Sequence, residues 1–184
     1  MKDPILQEGE RVLRQKARPI AKKDIGSRHL KGIISRMRAA LKKEKFGVAI
    51  AAPQLGEPLR IFVVAGKALA SQESSLRRDE HDPNSSAKTP ATPSDKVFIN
   101  PEIIRLSRKK KEMTEGCLSV RKKYGTVLRH EKATVRAQDE MGNSFIYHGT
   151  GLLAQIFQHE CDHLDGVLYV DKAKEIHDEP EKER

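Results

Sequence analysis

Leu30, Ile33, Ile34, Met37 and Leu41 recur at steps of three and four residues, with charged residues between them. That spacing predicts an amphipathic helix from residue 27 to about residue 46. Ser27 stands where an N-cap oxygen is needed, and Gly47 where the helix should stop. Earlier in the chain, Ile5 with Leu6 and Val12 with Leu13 form short apolar pairs before Pro19 breaks the pattern. Residues 48–52 are small and apolar and end at Pro53. Residues 59–65, through Ile61, Phe62, Val63 and Val64, predict a buried strand.

Residues 66–95 lose all periodicity, and Pro83, Pro90 and Pro93 fall close together. The stretch reads as a long, mobile surface insertion rather than a domain boundary. Strand-like pattern returns at Val97, Phe98 and Ile99 and continues past Pro101 to Ile103, Ile104 and Leu106. Residues 126–128 and 134–137 read as antiparallel strands, and a turn at 139–143 leads to another at Phe145, Ile146 and Tyr147. Thr150 is placed to cap a helix carrying Leu152, Leu153, Ile156 and Phe157, and Gly166 to end it. The folded domain is thus expected over residues 1–171, with 172–184 a charged tail, frayed or weakly helical.

At 184 residues the chain is long enough for one domain with its own core. Aromatic residues make up only 4% and Trp is absent, so aliphatic side chains must fill most of that core. No apolar run reaches the length of a membrane span, and the first residues do not lead into an apolar signal segment. A cytoplasmic location is the default expectation, with an organelle stroma or matrix after transit-peptide removal as the alternative. The formal net charge of +9 raises the question of nucleic acid, but the basic residues are scattered, with one dense run at Arg108, Lys109, Lys110 and Lys111. A solvated basic face accounts for them better than a dedicated contact, and no specific DNA binding is expected. The two cysteines, Cys117 and Cys161, point to metal binding rather than a disulfide in an intracellular chain.

The segment His159-Glu160-Cys161-Asp162-His163 reads H-E-x-x-H within the last predicted helix. Positions four apart share a helix face, so His159 and His163 can grip one cation, and Glu160 can serve as a general base. A catalytic cation needs about three protein ligands and one open position. Downstream, Asp165, Asp171, Glu175 and His177 sit in no recognisable peptidase pattern. Cys117 is the stronger third candidate, because a thiolate ligates soft or borderline metals well. Cys161 lies off the histidine face and reads as a small buried hydrophobe.

Three ordered segments resemble those of the peptide deformylase family: residues 47–54 (its G-x-G-L-A-A-x-Q), residues 115–119 (E-G-C-L-S) and residues 158–166 (Q-H-E-x-D-H-L-x-G). The resemblance runs from about Leu6 to Asp171. It implies removal of the formyl group from the N-terminal formyl-methionine of new polypeptides, with release of formate. It implies one divalent cation per chain, often Fe2+ with Zn2+, Ni2+ or Co2+ as substitutes, held by Cys117, His159 and His163. It assigns the general base to Glu160 and the formyl oxygen to the Gln54 side chain and the Leu118 N–H. Backbone at Gly47, Val48, Ala49, Glu115 and Gly116 would bind the peptide as an added strand. Leu152 and Ile156, seven and three residues before His159, would serve the methionine pocket, ordinary core packing, or both. Glu115 is expected to brace Cys117 or Gln54. The partners implied are formyl-methionyl nascent chains, with a weak, salt-sensitive ribosome contact. The fold expected is α+β: antiparallel, partly rolled sheets around the H-E-x-x-H helix, with the helix from residue 27 packed outside.

Three features depart from the family pattern. Ala49 replaces the second glycine of the first motif, and costs activity if its backbone must adopt positive φ. Arg121 stands where many members have proline, and with Lys122 and Lys123 it crowds positive charge near the cleft mouth. The 66–95 insertion is longer than compact members need. Two other functions compete: a metallopeptidase of internal bonds, and a catalytically impaired homologue acting as a ribosome-associated binding module.

Overall fold

The computed structural model describes residues 4–77 and 93–178. Helix α1 (Arg28–Lys43) precedes strands β1 (Ala49–Ala51) and β2 (Ile61–Val64). Helix α2 (Gly66–Arg77) follows, then strands β3 (Lys96–Leu106), β4 (Lys110–Cys117), β5 (Val120–His130), β6 (Lys132–Gln138) and β7 (Ser144–Thr150). Helix α3 (Gly151–Leu164) and strand β8 (Glu175–Asp178) end the described chain. All strand pairs within the two sheets are antiparallel, in a five-stranded sheet of order β1-β2-β3-β6-β7 and a three-stranded sheet of order β4-β5-β8. The architecture is the expected α+β arrangement, with both sheets open.

The larger sheet is covered on both faces, which explains the unbroken apolar run of β2. Side chains alternate across a strand. Phe62 and Val64 join Phe98, Val135, Leu153, Ile156 and Phe157 beneath α3. Ile61 and Val63 join Ile50, Ile99 and the α1 residues Leu30, Ile33, Ile34, Met37 and Leu41 on the opposite face. A third, smaller cluster of Val120, Val127, Leu168 and Tyr169 backs Cys117. The few aromatic rings concentrate in the first cluster, where Phe62 and Phe98 stack at 4.6 Å and Phe157 packs 5.3 Å from Phe98. Pro101 is tolerated inside β3 because the strand bulges between Ile99 and Glu102.

Gly149 sets how closely β7 approaches α3. A Cβ there would lie 2.8 Å from Phe157 Cε2 and 3.0 Å from the Ala154 nitrogen. Gly149→Ala is expected to destabilise the protein by about 1–3 kcal/mol. Urea unfolding measures this, and an unchanged midpoint would show the contact to be loose.

Three expectations need correction. Helix α1 starts as predicted, with the Ser27 hydroxyl accepting from the Leu30 N–H at 3.2 Å, but it ends at Lys43 with Glu44 as its C-cap, not at Gly47. Gly47 instead allows a close approach: a Cβ there would stand 2.9 Å from Glu44 Cβ and 3.0 Å from Leu41 Cδ1. The first part of the 66–95 segment is α2, which buries Ala68 and Leu69. So few apolar anchors left no readable period. The mobility expected for the remainder falls largely on residues 78–92, outside the described residues. Finally, the tail is neither frayed nor helical over Glu175–Asp178, which pairs with β5 as β8. All four of its side chains are exposed, so backbone pairing and a stack of the His177 ring on Tyr124 at 5.3 Å hold it, and no alternation marks it in sequence.

Candidate active site

Helix α3 presents His159 and His163 on one face, with ring centroids 4.9 Å apart. Cys117, the last residue of β4, meets them there. Its Sγ lies 3.2 Å from His163 Nε2, and ligand-capable atoms of Cys117, His159 and His163 all fall within 4.8 Å of one another. The three residues picked out from sequence are therefore brought together, although Cys117 is 42 residues from His159 in the chain.

Glu115 is placed differently from the expectation that it would brace Cys117 or Gln54. It is buried, and its Oε2 accepts from His159 Nδ1 at 2.9 Å. That contact fixes Nδ1 as the donor and leaves Nε2 as the nitrogen for a cation. Arg129 holds Glu115 from behind with two bonds of 2.7 and 2.9 Å. Its third arm reaches Asp162 at 2.6 Å, and Asp162 also receives Lys172. Arg129 is only 3% exposed, so the network is a buried one. Sequence reasoning missed it. The signal was available, because Arg129 is two residues from Val127 and therefore on the same, inward strand face.

Gln54 sits in a short 3-10 turn after β1. Its Oε1 accepts from the Ala51 N–H at 2.8 Å, and its Nε2 donates to Ser119 Oγ at 3.0 Å and approaches Cys117 Sγ at 3.6 Å. The N-terminal apolar pairs have an unforeseen task beside it. Leu6 N–H donates to the Gln54 carbonyl at 2.8 Å, Gln7 Nε2 to the Leu118 carbonyl at 3.1 Å, and Glu8 N–H to the Ser119 carbonyl at 2.7 Å. One N-terminal segment thus ties both motif loops together.

A cleft of about 910 Å³ opens above these residues. Gly47, Val48 and Ala49 form part of one wall, Glu115, Gly116 and Leu118 part of another, and Leu152, Ile156, His159 and Glu160 come from α3. Leu152 is partly exposed, while Ile156 is buried in the core beneath α3. Each wall includes an outer strand of its sheet, β1 and β4. Ala49 lies inside β1, and its φ is not positive. Ala49 is 7% exposed and belongs to the core beneath α3, and its φ removes the backbone cost feared from the loss of glycine.

Burial and charge oppose one another at the titratable groups. Burial would raise the Cys117 thiol, but the His163 and His159 imidazoles beside it outweigh this and hold it at about 5. Burial would likewise raise Glu115, yet Arg129 and His159 bring it to about 2. Glu160 is pushed up to about 7 by burial, against the pull of His159 and His163. Its Oε2 has no hydrogen-bond partner among the described residues. Cys161 packs in the core and burial pushes its thiol to about 12, the behaviour of an inert hydrophobe.

The polypeptide deformylase family model matches residues 2–179. Peptide deformylase of Heliobacterium modesticaldum is 38% identical over 97% of this chain and 97% of that protein. Peptide deformylase 1A of Arabidopsis thaliana, described as chloroplastic/mitochondrial, is 36% identical over 91% of this chain and 60% of its own length. Among solved structures, the Met-Ala-Ser-bound class I type b peptide deformylase of Acinetobacter baumannii superposes with a TM-score of 0.74 at 30% identity, covering 94% of this chain and 98% of that one. The chain belongs to the polypeptide deformylase family. It is a metal-dependent hydrolase that removes the formyl group from newly made polypeptides. The endopeptidase and binding-module readings find no support among these relatives.

Proposed function

We propose that Cys117, His159 and His163 hold one divalent cation, ferrous iron in the cell, with zinc, nickel or cobalt as substitutes. The observation that carries this is the convergence of their ligand atoms within 4.8 Å, beside a cleft flanked by two outer strands. The donor set fits such an ion: a thiol of depressed pKa, and one imidazole whose far nitrogen is already engaged by a buried carboxylate. When bound, the cation supplies Lewis acidity, polarising the formyl carbonyl and making water a stronger nucleophile at neutral pH.

The protein's own groups do the rest. Glu160 takes a proton from the attacking water through its unpartnered, buried Oε2 and returns it to the departing amine, so that formate and a free amino terminus result. The Gln54 carboxamide is already oriented by its bond from the Ala51 N–H, and its Nε2 faces the Cys117 corner of the site. With the Leu118 N–H it stabilises the negative charge that gathers on the formyl oxygen. Backbone at Gly47, Val48 and Ala49 on one side and at Glu115 and Gly116 on the other aligns the peptide as an added strand. Leu152 and Ile156 receive the methionine side chain, Ile156 contributing to the core as well.

The physiological partner is the formyl-methionyl nascent chain, met near the ribosome through a weak, salt-sensitive contact that the +9 charge favours. No helix among the described residues is long and apolar enough to cross a membrane. We place the protein in the cytoplasm, with an organelle stroma or matrix as the alternative location. Cys117→Ser tests the ligand set: elemental analysis should show cation content lost or its selectivity shifted from iron towards harder ions. Unchanged content and selectivity would remove Cys117 from the set.

A further inference from the structure

The β4–β5 ladder breaks at the mouth of the cleft. Gly116 pairs with Tyr124, and Cys117 with Val120, so Arg121, Lys122 and Lys123 are left out of register with β4. Lys122 adopts a left-handed backbone with φ 61°, unusual for a residue with a side chain. All three residues are exposed, and all three line the cleft. Facing them across the mouth are Lys43, the last residue of α1, and Glu44, Lys45 and Phe46 just beyond it. Arg121 spans the gap to Glu44 with an ion pair of 2.9 Å. Among the described residues, those lining this rim thus include five cations and one carboxylate, and that carboxylate is already paired. Bulges of this kind re-aim side chains beside active sites.

We propose that this bulge selects substrates by charge: peptides bearing Asp or Glu in the residues that follow formyl-methionine are preferred over neutral ones, and basic ones are disfavoured. The inference rests on the deformylase reading of the same cleft and adds a specificity to it. With formyl-methionine seated against α3, the next residues must leave between the two rims, within reach of Lys43, Lys45, Lys122 and Lys123. These charges are solvated, so the effect is moderate and sensitive to salt.

The test compares formyl-Met-Ala-Ser with peptides in which the second and third residues are both Asp or both Lys. The acidic peptide should exceed the neutral one by about three- to tenfold in kcat/KM, the range that two or three exposed ion pairs supply, with the basic peptide below both. The spread should shrink between about 20 mM and about 300 mM salt as the Debye length shortens. Lys122→Glu/Lys123→Glu should reverse the order. Lys110→Glu/Lys111→Glu, an equal charge change at the far end of β4, should keep it. Equal rates for the three peptides, or an equal response of both variants, would overturn the proposal. The same order should appear in Kd values on the cation-loaded Glu160→Gln protein. Should no peptide release formate, the deformylase reading fails, and those binding data still decide the charge selection.

Discussion

Glu160→Gln is expected to keep its cation and bind formyl-Met-Ala-Ser while formate release falls on the order of 10³-fold, the scale of a lost general base. The substitution preserves shape and removes only the ability to carry a proton. Glu160 is 4% exposed, lies between the two histidines in sequence, and has one oxygen without a partner among the described residues. A coupled formate assay on anaerobically prepared protein reads the turnover, elemental analysis the cation, and acetyl-Met-Ala-Ser controls for the acyl group. Turnover within tenfold of the parent with full cation content would take the proton-carrying role from Glu160. Loss of the cation would instead make it a ligand.

Arg129→Met should cost about 3–5 kcal/mol of stability, because it strands the buried Glu115 without the guanidinium that justifies its burial and leaves Asp162 with Lys172 alone. For a chain of this size that corresponds to a fall in Tm of roughly 10 °C. A second effect should appear at the site. Glu115 orients His159, and loosening such a support lowers metal affinity about 10- to 100-fold. Arg129→Lys should not rescue either effect, since one ammonium cannot supply the three bonds that the guanidinium divides between two carboxylates. Glu115→Met/Arg129→Met should regain much of the stability but not the affinity, because His159 then has no carboxylate behind it. Calorimetry and cation titration separate the two. A Tm within about 2 °C of the parent for Arg129→Met would show that the network contributes little to stability.

How legible these features were depended on whether they were local. The α1 face, the two-sided β2 run and the spacing of His159 and His163 follow from periods of 3.6 and 2 that a short window carries. Cys117 was recoverable because it sits in a recognisable motif. Arg129 was legible only in part: its spacing from Val127 marks an inward position, but its partners depend on which strand faces α3. Helix α2 and strand β8 were missed for a related reason: one buries only Ala68 and Leu69 among its described side chains, and the other buries none. The positive φ feared at Ala49 was a backbone question that residue identity alone does not answer.

The order of apolar and polar residues, by itself, determined that this chain would build an antiparallel α+β core and place two imidazoles and a carboxylate on one helix. Local stereochemistry suffices for that. Only the tertiary structure decided that the β4 thiol would meet those imidazoles, that Glu115 would turn towards His159 rather than Cys117, and that residues 121–123 would swell from the ladder onto the cleft mouth. Those outcomes depend on strand register and on buried charges finding each other across distant segments, which no local pattern encodes.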